Sequence, residues 1–200
     1  FYILIQYAVA MEIVTKEEFL LGKIRYFKLI SQGAVFIYPT DTIYGIGCDA
    51  TNEQAVQRIR NIKQRSSMAF SVIAPSRRWV LENCHVSLEG EKWLEKLPGP
   101  YTLIFRLKNR SAVAAAVNLG GNTLGIRIPK HWIRGVVAEL EFPVVSTSAN
   151  LTGEPYMTST EDLDDSIRQK VDFIVYEGEK QGRPSTIVKL FENEVEVVER

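Results

Sequence analysis

Apolar residues recur at three- and four-residue intervals over 16–31, where Phe19, Leu20, Ile24, Phe27 and Ile30 mark one face of an amphipathic helix. Gly33 stops it. The apolar run Ala34 to Tyr38 then predicts a buried strand, which Pro39 ends by removing a backbone donor. A hydroxyl-rich loop, Pro39 to Gly47, therefore follows the C-terminal end of that strand. Thr51 or Asn52 caps the next helix, with Glu53 in its positive first turn and Ala55, Val56, Ile59 and Ile62 on its apolar face. This helix delivers Lys63 and Arg65 at its C-terminus.

Branched and aromatic residues predict three more strands at 69–74, 101–107 and 123–129, separated by helical patterns in RRWVLENC, GEKWLEKL and 133–140. The stretch PVVSTSAN, 143–150, repeats the earlier pattern of a buried strand ending in small hydroxyl residues, and two such ends can face one cavity. STEDLDDSIRQKV then reads as a capped helix, DFIVYEG as a strand, and STIVKLFENEVEVVER as a hairpin turning near Glu192 and Asn193. Helices and strands alternate without repeats or linkers, so the expectation is one α/β (α+β) domain over 1–200.

Composition narrows the field. In 200 residues, 24 Lys plus Arg balance 24 Asp plus Glu, so net charge does not announce a polyanion partner. Cys48 and Cys84 have no CxxC or Cys/His spacing, and His85 and His131 lack metal-ligand spacing. No metal site is expected, and a reducing cytoplasm fits best. The opening FYILIQYAVA is short for a membrane span and lacks a basic flank; it either packs or is an extension upstream of a natural start at Met11.

Three constellations are candidates for chemistry, each with a plain structural alternative. Gly45 and Gly47, with Thr40, Thr42 and Tyr44, form either a loop that brings amides and hydroxyls to a phosphate or metabolite, or an ordinary strand-to-helix turn. There is neither GxxxxGK[ST] nor GxGxxG. Lys63 and Arg65 point apart on a helix but converge if the chain leaves the helix between them; they grip phosphates or complement the helix dipole. Ser146, Thr147, Ser148 and Asn150 are a binding edge or a cap and turn. Arg127, inside an apolar strand, needs an anionic partner, either a ligand carboxylate or phosphate or an acid of the protein.

PTDTIYGIG (39–47), KQR (63–65), PGPYT (98–102), GIRIP (125–129), STSAN (146–150) and STIV (185–188), in this order, resemble the YrdC family of threonylcarbamoyl-AMP synthases over residues 20–200. The resemblance implies an open-cavity fold with a twisted mixed β-sheet flanked by helices. It implies condensation of L-threonine, bicarbonate and ATP, with Mg²⁺ accompanying the nucleotide, to threonylcarbamoyl-AMP and pyrophosphate. A separate tRNA threonylcarbamoyl transferase complex would use the product downstream.

On matching positions, Thr40, Arg127, Ser146 and Ser185 would meet threonine. Lys63, Arg65, Thr123, Ser148 and Asn150 would meet ATP, with Arg200 a further nucleotide contact and Lys63 and Arg65 the catalytic cations. The chain departs from the family at Ser66 to Phe70, where Pro and, a few residues later, Lys-Pro-Leu are usual, so one expected basic residue is missing. That departure leaves open a paralogue that uses another carbamoyl substrate. A second rival is an RNA-binding module using Arg58, Arg60, Lys63, Arg65, Arg77 and Arg78, although no series of aromatic stacking residues interleaves with these, Phe70 alone falling among them.

Overall fold

The computed structural model describes residues 11–191 and 195–199. Chain order gives β1 (Glu12–Thr15), α1 (Lys16–Leu21), α2 (Lys23–Ser31), β2 (Phe36–Tyr38), β3 (Gly45–Gly47), α3 (Glu53–Lys63), β4 (Ser71–Ile73), α4 (Arg77–Asn83), β5 (Cys84–His85) and α5 (Leu88–Glu95). Then come β6 (Tyr101–Leu107), α6 (Ala115–Asn118), β7 (Thr123–Arg127), α7 (Ile133–Leu140), β8 (Val144–Ser148), α8 (Asp165–Arg168), β9 (Phe173–Tyr176), β10 (Thr186–Lys189) and β11 (Glu196–Val198). One mixed sheet runs β1-β9-β2-β3-β8-β4-β7-β6-β10-β11, with β5 added on β6.

Side-chain caps start the helices where short hydroxyl or amide residues stand. Thr15 forms a reciprocal capping box with Glu18, and Asn52, Ser76 and Ser87 each accept a backbone N–H from the first turn of α3, α4 and α5. One apolar cluster packs Val56, Ile59, Phe105 and Ile167 on one side of the sheet. A second packs Phe19, Tyr26, Ile30, Ile133 and Val137 against Phe36 and Phe173. Among the described residues no helix is long and apolar enough to cross a membrane.

Several expectations are met closely: the strand over 101–107 and the helix over 133–140 have the anticipated bounds. Others differ for physical reasons. The helix expected over 16–31 breaks at Gly22 into α1 and α2. The buried residues Phe19, Tyr26 and Ile30 still share one helical face across the break, and Leu20 and Ile24 lie off that face and are exposed. Only one turn, α8, forms within the stretch read as a capped helix. The hairpin joins Ile187 to Val198 in register, and its turn at Glu192 and Asn193 lies outside the described residues.

The largest correction concerns Gly45 and Gly47. They belong to strand β3, antiparallel to both β2 and β8, rather than to a phosphate-cradling loop. A Cβ on Gly47 would collide with the Val145 carbonyl oxygen and stand 2.8 Å from the Tyr38 ring. Glycine is required there by close approach of the neighbouring strand and of that ring, which leave no room for a side chain.

Candidate functional site

Strands β2, β3, β8, β4, β7 and β6 bring their polar residues to one cavity. The β2–β3 turn supplies Thr42 and Tyr44; β8 supplies Ser146, Thr147 and Ser148; β4 and β6 supply Ser71 and Thr102. Register explains the grouping: Ser71 lies opposite Gly125 on β7 and opposite Ser146 on β8. Gly125 leaves the space, since a Cβ there would stand 2.5 Å from the Ser71 hydroxyl. The cavity holds about 600 Å³ of unfilled space, counting its open mouth. The two hydroxyl-rich strand ends do share it.

Among the described residues, two arginines reach its wall and no carboxylate side chain lines it. Arg127 on β7 is buried, and its Nη2 donates to Asp41 Oδ1 and Thr42 Oγ1, each at 3.0 Å. Asp41 lies just behind the wall and also accepts the Lys130 N–H at 2.8 Å. Burial pushes the Arg127 guanidinium down, while Asp41 opposes that shift. Arg127 Nε is buried without a hydrogen-bond partner among the described residues.

Lys63 and Arg65 part as the chain leaves α3. Gln64 caps the helix in the left-handed conformation, φ 50° and ψ 42°, which is uncommon for a residue with a side chain. Arg65 reaches the cavity, with Nη1 3.4 Å from Thr147 Oγ1 and Nη2 donating to the Ala69 carbonyl at 2.9 Å. Lys63 turns inward instead. Its ammonium donates to the Ser148 carbonyl (2.5 Å), the Asn150 carbonyl (2.6 Å) and Asn150 Oδ1 (3.0 Å). Burial, with Arg65 adding repulsion, lowers its pKa to about 7.

The predicted residues therefore divide. Arg65, Arg127, Ser146, Ser148 and Ser185 line the cavity. Thr40, Lys63 and Asn150 stand off the wall, because their polar atoms serve the protein, and Thr123 stands off it at the opposite end of β7 from Arg127. Thr40 Oγ1 donates to the Ile43 carbonyl at 2.7 Å and accepts the Thr42 N–H at 3.1 Å, so it shapes the turn that presents Thr42. Asn150 accepts from both Lys63 and the Ser148 hydroxyl. The Thr123 carbonyl accepts from Asn118 Nδ2 at the start of β7. Arg200 lies outside the described residues.

Sequence reasoning gave Thr102 no role beyond its place in PGPYT, and of the segment that joins β9 to β10 it singled out only Ser185. Thr102 shares a 2.6 Å hydrogen bond with Ser185 on the cavity wall. The joining segment crosses the β2–β3 turn: Tyr44 donates to the Gly178 carbonyl at 2.6 Å, Lys180 donates to the Thr40 carbonyl at 3.0 Å, and Gly182 lies against the Thr42 backbone. Glu177 anchors it through Lys180, Trp132 and His131. Burial raises the Glu177 carboxyl, but those three partners outweigh it and hold it below its ordinary range. A small polar residue on a cavity-facing strand position was the only available signal.

The six cations of the RNA-binding alternative do not form one exposed patch. Arg60 and Lys63 are buried, Arg58 pairs with Asp172, and Arg78 pairs with Glu82. Among the described residues no three His, Cys, Asp or Glu gather as a metal site.

A family model for Sua5, YciO and YrdC, described as "Telomere recombination", matches residues 28–200. A threonylcarbamoyl-AMP synthase of Hydrogenovibrio crunogenus is 34% identical over 140 residues, covering 67% of this chain and 75% of that protein. A Methanocaldococcus jannaschii relative, whose name carries the same activity provisionally, is 33% identical over 172 residues, covering 84% and 80%. Sua5 of P. abyssi complexed with L-threonine superposes with a TM-score of 0.80 at 30% identity, over 94% of this chain. The chain spans 56% of that Sua5, a little over half its length. E. coli YciO shares the fold at a TM-score of 0.80, with 95% and 94% of the two chains covered and 23% identity. The chain belongs to the Sua5/YciO/YrdC family, in company with threonylcarbamoyl-AMP synthases.

Proposed function

We propose that this protein condenses L-threonine, bicarbonate and ATP into threonylcarbamoyl-AMP with release of pyrophosphate, supplying a threonylcarbamoyl group for tRNA modification by a separate transferase. The carrying observation is the cavity itself: two arginines, a row of hydroxyls and no lining carboxylate suit anionic ligands. The names of the relatives and the threonine bound by P. abyssi Sua5 supply the substrate class.

The threonine amine adds to bicarbonate, and loss of water leaves a carbamate. A carbamate oxygen attacks the α-phosphorus of ATP, the bond from that phosphorus to the bridging oxygen breaks, and pyrophosphate leaves. No protein nucleophile is needed, so the contribution of the chain is positioning and charge neutralisation. Arg127 suits the threonine carboxylate, since its Nε has no partner among the described residues. Arg65, at the wall beside Thr147, suits the phosphates. Mg²⁺ carried on the nucleotide would neutralise further charge. Lys63 acts one step back: its ammonium fixes the Ser148–Asn150 turn and so the direction of the Ser148 hydroxyl.

Pyrophosphate release from ATP, measured with threonine and bicarbonate each omitted in turn, tests the reading. Dependence on both is expected; release indifferent to threonine would remove it.

A further inference from the structure

We propose that Arg60 is a positioning residue for the nucleotide side of the cavity, holding the segment 65–70 from behind so that Arg65 faces the ligand. This rests on the reading of the cavity as an ATP site. Arg60 lies on α3, is 4% exposed, and forms no ion pair among the described residues. Its guanidinium addresses four backbone carbonyls: Ala116 at 2.6 Å, Arg65 at 3.0 Å, Met68 at 3.1 Å and Val117 at 3.2 Å.

Two of those carbonyls belong to the segment that carries Arg65 to the cavity. Its far end is fixed through the same anchor, because the Val117 carbonyl also accepts the Phe70 N–H at 2.8 Å. The Phe70 ring completes the link: the Arg60 guanidinium stands 4.6 Å and the Arg65 guanidinium 5.2 Å from its centroid. Between these points Ser66 to Ala69 are exposed and have no regular secondary structure. They depend on tethers at their ends.

A buried cation facing carbonyls is costly compared with an apolar side chain of similar length. Burial works against the Arg60 charge, and Glu53 partly supports it. An apolar side chain would fill the space without that cost but would release both segment carbonyls. Lysine is no substitute, since a single ammonium cannot span acceptors laid out for a planar fork.

The test compares Arg60→Lys and Arg60→Met with the wild type, varying ATP and threonine separately while circular dichroism monitors folding. Each variant is expected to raise KM for ATP by about tenfold, with KM for threonine changed by less than about twofold. Unchanged KM for ATP in both variants overturns the proposal, as does a parallel rise for both substrates, which marks general support. If Arg60→Lys does not fold, Arg60→Met alone decides by the same criteria. A wild type without threonine-dependent turnover overturns the site reading itself, and this inference with it, and so is distinguishable from the other failures.

Discussion

Arg127 and Asp41 meet at 3.0 Å between β7 and the β2–β3 turn, both nearly buried, so the charge at the cavity wall is compensated from behind it. Removing one member of such a pair leaves the other buried and uncompensated. Asp41→Asn is expected to destabilise the fold by about 2–4 kcal/mol in urea titration, with part of that loss recovered when Arg127→Met is added. Additive losses in the double variant would contradict the coupling.

The glycines give a stability contrast. Gly47→Ala drives a Cβ into the Val145 carbonyl and the Tyr38 ring, and is expected to cost about 1–3 kcal/mol or more. Gly135, within α7, has open space where a methyl group would stand, so Gly135→Ala is expected to gain about 0.5–1 kcal/mol. Thermal unfolding of the two variants measures both signs.

Lys63 makes stability depend on pH. Its folded pKa, about 7, lies below the ordinary lysine value of 10.5, chiefly through burial. Between those values the unfolded chain binds more protons, so wild-type stability rises with pH across that window relative to Lys63→Met. The slope is expected to be on the order of 1 kcal/mol per pH unit from about pH 7 to 9, and absent below about pH 6. Urea titrations at several pH values check it; a flat difference would show the ammonium to be retained throughout.

Tyr44 ties the segment after β9 to the cavity wall, accepting the Glu177 N–H at 3.1 Å while donating to the Gly178 carbonyl. Tyr44→Phe is expected to cost about 1–3 kcal/mol, since it leaves a donor and an acceptor without their partner. Faster proteolysis within 177–185 should accompany the loss.

Much of this arrangement was legible because it follows from local pattern. Apolar runs ending in hydroxyl residues placed the strand ends at 39–42 and 146–148, and an exit from α3 between Lys63 and Arg65 is what Gln64 provides. What stayed hidden depends on residues far apart in the chain. The partners of Lys63 lie 85 and 87 positions away, so no local spacing reveals that its three donors are already engaged. Gly45 and Gly47 read as loop residues because their reason, contact with Tyr38 and β8, exists only after the sheet forms. Ile24 fits the spacing of a helical stripe, yet the face that meets the core is the neighbouring one, through Phe19, Tyr26 and Ile30.

Joining a threonine-derived carbamate to the α-phosphorus of ATP is the chemistry proposed for this cavity. Isotopically labelled bicarbonate, supplied with L-threonine, ATP and Mg²⁺, puts it to the test through the mass of the nucleotide product. The expected product is an AMP adduct carrying threonine plus the labelled carbon, formed by the wild type and strongly reduced in Arg65→Ala with its fold intact. A nucleotide product without the label, or undiminished formation in Arg65→Ala, would contradict it.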